Sequence, residues 1–349
     1  FSQMGGGTDL SKMKRAGGKM LFYAMFFNVT AIFIGALLLY IFDIGKDMNL
    51  TALSSSSMSN GAQNVSLSTG DIIKGFVPDN FLKPFFEGNM IQLMVLAILI
   101  GIAAGASNSK IIASAFDEIN KIFVKVLAIF LRFMPLLVFC SITSMFISTG
   151  LKTLLLVLSI LLILSAGYAL LWIKYYFMLL FIARLNPFTV FKKAITLIIT
   201  SLTTCSSVAS IPAGMESAKK IGVSEKIYSF LIPLGTLTTR NANCLFLYII
   251  TIVTANMYGV EITLSKMFLV SIYAIILSIV IPSIPGGLII TCSSIFVSIG
   301  CPLDGLGIII ALNSVMDMFV TTSATMSTLL STLIIAKSEN QLDIEKYKS

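Results

Sequence analysis

Residues 20–42 read MLFYAMFFNVTAIFIGALLLYIF, a largely apolar stretch with no charged residue. A hydrocarbon core takes about 20 helical residues to cross, so this stretch alone commits the chain to lipid. Further apolar runs cover about 90–107, 119–149, 151–183, 225–258, 265–282 and 306–336. Backbone amides in lipid must be satisfied internally, which leaves helices or closed barrels; runs this long make helices. Composition agrees, because only 11% of the 349 residues are charged and 56% are hydrophobic. A soluble domain carries about 25% charged residues. The fold class is therefore an all-α integral membrane protein.

The net charge is +8. The basic residues lie between the apolar runs, as the positive-inside rule requires, and not along one aromatic-lined face as nucleic-acid binding would need. Lys12, Lys14, Arg15 and Lys19, then Lys110, Lys121 and Lys125, then Arg184, Lys192 and Lys193, then Lys219, Lys220 and Lys226, then Lys337, Lys346 and Lys348 mark the cytoplasmic side. The loop at 43–90 holds Asp43, Asp47, Asp71, Asp79 and Glu87 and faces outside. This makes a multi-pass protein of the plasma membrane, with 339–349 as a cytoplasmic tail. The chain opens at Phe1 with a Gly-rich stretch and no initiator Met, which reads as the middle of a longer protein, truncated at its N-terminus.

The sequence has no His, and its five Cys form no CxxC pair. No metal motif, disulfide framework or nucleophile–base arrangement follows. Cofactor chemistry and enzymatic activity are not expected, and any proton carrier would be a carboxylate.

Two segments break the apolar pattern. TTCSSVASIPAG and PSIPGG put small polar residues, Pro or Gly where a plain span keeps Leu and Ile. Irregular backbone at membrane depth is tolerated when it lines a cavity, and a matched pair of such segments points to a transporter's binding site. The alternative is two kinked spans. The charge sides alternate correctly if 151–183 crosses once and both broken segments, about 186–222 and 264–301, return to their own side as re-entrant hairpins, which supports that reading. The run at 225–258 is itself broken near TLTTRNAN, and the last span carries Asn313 and Asp317.

TTCSSVASIPAGMESAKKIGVSEKIYSFLIPLG, IPSIPGGL and MDMFVTTSATMSTLLSTLIIAKSE occur in that order. Together they resemble the dicarboxylate/amino acid:cation symporter family, the sodium:dicarboxylate or glutamate transporter family, of which this chain is a divergent member. The resemblance is strongest from about residue 186 onward. It implies a homotrimer with a scaffold and an elevator-like transport domain. Residues 1–149 would be mainly scaffold, with the first span shared, and 150–338 the transport domain. The two hairpin tips would enclose the substrate, through Ser206 and Ser207 at the first and Pro285, Gly286 and Gly287 at the second.

The departures from the family pattern are informative. Its acidic sodium-binding motif aligns with Thr239, Arg240, Asn241, Ala242 and Asn243, so the acid has become Asn241. Its late Asp in the last span aligns with Thr328, and the Asn before that with Ala324. Hard cations favour oxygen ligands, often carboxylates, and the loss argues against sodium coupling of the usual kind. The Arg that pairs with an acidic substrate aligns with Val320, and the Arg of some first-hairpin tips with Cys205. Asp317, which in the family accepts the substrate amino group, is retained, with Asn313 in place of its acidic neighbour. Intramembrane charges are rare and usually paired or functional. Arg240 would stand in for a cation, bind a carboxylate, or form a salt bridge with Asp317 that only balances charge. Lys174, within an apolar run, reads as a snorkelling side chain.

The resulting expectation is an amino-acid or dicarboxylate symporter with altered cation sites, taking Na+ or H+ as coupling ion. A sodium-independent exchanger in which Arg240 replaces the cation, and a non-transporting sensor, are the alternatives.

Overall fold

A computed structural model describes residues 7–42, 151–280, 287–302 and 306–348, with a few single positions between 43 and 150. The extracellular loop expected at 43–90, most of the expected scaffold, and Pro285 and Gly286 lie outside the described residues. Apart from one isolated β-bridge between Val223 and Leu342, the described elements are helical. They run α1 (Gly7–Phe42), α2 (Leu151–Phe177, continued by a π-helical turn, Met178–Ala183), α3 (Pro187–Lys193), α4 (Ile195–Thr204), α5 (Ile211–Ile221), α6 (Glu225–Thr238), α7 (Asn241–Met257), α8 (Leu264–Val280), α9 (Gly287–Ile299), α10 (Leu306–Ser338) and α11 (Ile344–Lys348).

Among the described residues, three helical stretches are long and apolar enough to cross a membrane: Arg15–Phe42, Leu158–Ala183 and Val315–Ser338. On α1 the outward face presents Phe22, Phe26, Phe33 and Tyr40. An apolar face this continuous suits lipid and not water.

Local chemistry sets the breaks. Pro187 starts α3 where its missing N–H costs nothing, and Asn186 Oδ1 caps the helix by accepting from Phe188 N at 3.0 Å. Between α4 and α5 the chain turns at Cys205, in the left-handed region at φ 48°. The two helices pack on each other and both pack on α10. The run at 225–258 is interrupted at Thr239 and Arg240, where the sequence puts TTRN.

Helix α10 sits at the centre, against α1, α2, α4, α5, α6, α7 and α9. Close approach is bought with glycine. A Cβ on Gly235 of α6 would collide with Met20 of α1 and sit 2.7 Å from Thr328 Cγ2 of α10. A Cβ on Gly167 of α2 would lie 2.8 Å from Leu245 Cδ2 of α7 and 3.3 Å from Leu38 Cδ1 of α1. Small residues at such crossings let membrane helices gain packing where lipid offers no hydrophobic drive.

After α10 the chain folds back. Asp343 N donates to Gly222 O at 2.8 Å and Ser224 N to Gln341 O at 3.0 Å. At the end of α10, Glu339 accepts from Arg15 Nε at 2.9 Å, from Arg15 Nη2, and from Lys19 Nζ at 2.5 Å. These hydrogen bonds, Arg15's first, pull the Glu339 carboxyl down to about 2.

Candidate substrate and cation site

Three interruptions of regular helix or apolar sequence converge: the 205–210 turn, the Thr239–Arg240 break and the polar middle of α10. Ser207 is buried at the turn. Arg240 Nη1 donates to Ser207 Oγ at 3.5 Å, the long limit of a hydrogen bond. Asp317 is buried on α10, where Thr321 Oγ1 donates to its Oδ1 at 3.5 Å. Its charge reaches both Arg240 and Cys205. Ser201 of α4 donates to Thr322 Oγ1 of α10 at 3.4 Å, tying the turn to α10. Opposite charges are thus enclosed together at the meeting of three elements, where water does not screen them.

Ser206 is half-buried at the same turn and its Oγ accepts from Ala209 N at 3.3 Å. Val320, Ala324 and Thr328 are buried on α10 beyond Asp317. Thr328 Oγ1 is turned back onto Ala324 O at 3.2 Å. Asn313 and Gly287 lie in α10 and α9, and their surroundings are outside what the structure describes.

At the break, Thr239, Asn241 and Asn243 are all buried. Asn241 Nδ2 donates to Tyr175 OH of α2 at 2.6 Å, and that hydroxyl donates to Ser323 O of α10 at 3.2 Å. Trp172 Nε1 also reaches Ser323, at its Oγ, at 3.0 Å. The side-chain oxygens Thr239 Oγ1, Asn241 Oδ1 and Asn243 Oδ1 have no donor. Buried oxygens without donors are uncommon, and a hard cation would satisfy them. All three are neutral, and among the described residues no cluster of three or more His, Cys, Asp or Glu exists to hold a metal ion.

A second polar locus lies around Lys174, which the sequence suggests is a snorkelling side chain, and Asn28, which sequence reasoning missed. Lys174 of α2 does not snorkel: its Nζ donates to Thr30 Oγ1 of α1 at 3.0 Å and lies 4.8 Å from the Phe27 ring centroid and 5.3 Å from that of Tyr175. Asn28 of α1 is fully buried with neither amide atom partnered. The signal for it was available as a lone amide within the apolar run FFNVTA.

The described residues thus form a helical bundle that encloses opposite charges and donorless oxygens. Residues 3–338 match the sodium:dicarboxylate symporter family, and the chain belongs to that family. It is therefore a membrane transporter family member and not an enzyme, with the glutamate-transporter fold that membership implies. It is 24% identical to the C4-dicarboxylate transport protein of Bacillus subtilis (strain 168), over 97% of this chain and 82% of that protein. The proton/sodium-glutamate symport protein of Geobacillus stearothermophilus is also 24% identical, over 97% and 82%. The proton/glutamate-aspartate symporter of Escherichia coli (strain K12) is 24% identical, over 97% and 79%.

Proposed function

We propose that this chain is a secondary transporter that carries a small amino acid or dicarboxylate across the cell membrane, as a symporter with altered cation sites. The observation that carries the reading is the enclosed set of Asp317, Arg240 and Ser207. Asp317 supplies an acceptor for a substrate amino group. Arg240 and the Ser206–Ser207 turn supply donors for a carboxylate. Buried Val320 favours an uncharged substrate side chain, since an acidic one would lose its solvation without a matching cation. The oxygens of Thr239, Asn241 and Asn243 would hold a monovalent coupling ion.

In this reading α4, the 205–210 turn and α5 form one re-entrant hairpin, and α8 and α9 flank a second whose tip includes Pro285, Gly286 and Gly287. The transport domain covers about 150–338 and moves as an elevator against a scaffold drawn mainly from 1–149, within a homotrimer whose C-termini face the cytoplasm.

The test is uptake of labelled L-glutamate, L-aspartate, L-serine and succinate into proteoliposomes under sodium and proton gradients. Asp317→Asn is expected to lower amino-acid uptake about tenfold or more, the value of a lost charged hydrogen bond at ~1.5–3 kcal/mol. Undiminished amino-acid uptake by that variant removes Asp317 from the site.

A further inference from the structure

We propose that Lys174 is a built-in cation: its ammonium occupies, without exchange, a monovalent-cation site at the junction of α1, α2 and the start of α7. The inference rests on the transport reading above and concerns the coupling ion at this one locus.

The position excludes the ordinary explanation. Lys174 lies nine residues before Ala183, the last residue of its membrane-length stretch. Nine residues of helix rise about 13 Å, more than a four-carbon stem spans. Its hydrogen-bond partner, Thr30, is near the middle of the Arg15–Phe42 stretch. The charge is therefore held at membrane depth, half-buried between α1 and α2.

The surroundings are those of a cation site. Thr30 Oγ1 offers one oxygen at 3.0 Å. The Phe27 and Tyr175 rings both lie within the ~6 Å over which an aromatic face attracts a cation. Among the described residues, no carboxylate forms an ion pair with Lys174. A charge kept at such depth without a counter-ion is costly, and residues of this kind are functional by default.

The locus also adjoins the donorless oxygens. Tyr175, whose ring faces the ammonium, accepts from Asn241 at 2.6 Å. A mobile hard cation needs several oxygens to replace its hydration shell. An ammonium fixed by a covalent stem does not, because its location is set by α2. The tethered ammonium thus fills the locus of Thr30, Phe27 and Tyr175 without a sodium ion and leaves the oxygens of Thr239, Asn241 and Asn243 to the coupling ion.

The experiment is thermal unfolding of purified wild type and Lys174→Ala without substrate, in choline, sodium and n-propylammonium chloride at matched ionic strength. n-Propylammonium is the fragment that the substitution removes. In choline, Lys174→Ala is expected to melt several degrees below wild type. Both n-propylammonium and sodium should recover a substantial part of that loss, and the gain from each over choline should be larger in Lys174→Ala than in wild type. Recovery by n-propylammonium but not sodium makes the ammonium a structural prop and overturns the proposal. So does recovery by neither, or an equal sodium effect on both proteins. If Lys174→Ala does not purify, Lys174→Met keeps the length and removes the charge; a Met variant as stable as wild type overturns the proposal. No substrate enters the measurement, so a failed uptake assay leaves it readable, and a failed rescue leaves the transport reading standing.

Discussion

The first and last described membrane-length helices are made of similar material and used in opposite ways. In the most apolar window of Arg15–Phe42, 39% of the residues are buried inside the protein, whereas for Val315–Ser338 the share is 89%. The outer face of α1 is Phe and Leu against lipid, and its inner stripe carries Ala, Asn28 and Gly35. Helix α10 has hardly any outer face in its second half, and there Thr321, Thr322, Ser323, Thr325, Ser327, Thr328, Ser331 and Thr332 are all buried. Most of these hydroxyls bond a carbonyl three or four residues back, as Ser331 does to Ser327 O at 2.9 Å. Polarity in this protein follows enclosure: of the three membrane-length stretches, the most polar is the one most enclosed by protein.

The sharpest way to break the contrast is at Gly235, where α6 holds Met20 of the outer helix and Thr328 of the inner one on either side. Gly235→Val should cost about 3 kcal/mol or more through overpacking, read as loss of monodisperse protein and a lower unfolding midpoint. Tolerance of valine would mean that α1 is free to move off α10.

A smaller effect is expected at the ends of the same two helices. The folded Glu339 carboxyl is depressed from 4.5 to about 2, so its contribution to stability is present above the ordinary carboxyl range and is lost as pH falls from there towards about 2. Wild type should therefore lose unfolding temperature over that window more steeply than Glu339→Gln. Identical slopes would detach the two ends. The smallest effect belongs to the lipid face: Phe33 is 75% exposed, and Phe33→Leu should stay within about 0.5 kcal/mol of wild type. A large loss there would reveal a protein partner in place of lipid.

Much of the helix plan could be read from the residues. The TTRN break at 239–240 and the start of the last span at 306 were visible as changes in apolar pattern. So were the small polar residues between α4 and α5. The π-helical turn at 178–183 was not, because nothing in MLLFIA distinguishes it from an α-helix. For the site, Arg240 and Asp317 stood out as charges in apolar sequence. Lys174 stood out equally, yet its partner was illegible: Thr30 is 144 residues away, and a local pattern cannot say which helix a side chain will face. The same holds for Asn241 and Tyr175.

The tie between Glu339 and Arg15 spans 324 residues of sequence. On a ribosome adding roughly 5–20 residues per second, the inner stripe of α1 waits on the order of tens of seconds before the groups that cover it are made. During that interval Asn28 has only lipid, translocon or nascent neighbours to face. The biogenesis of this protein therefore has a built-in delay: its earliest described helix can be inserted at once, but α6 and α7, on which it packs most, come later in the chain, and its tie to Glu339 comes later still.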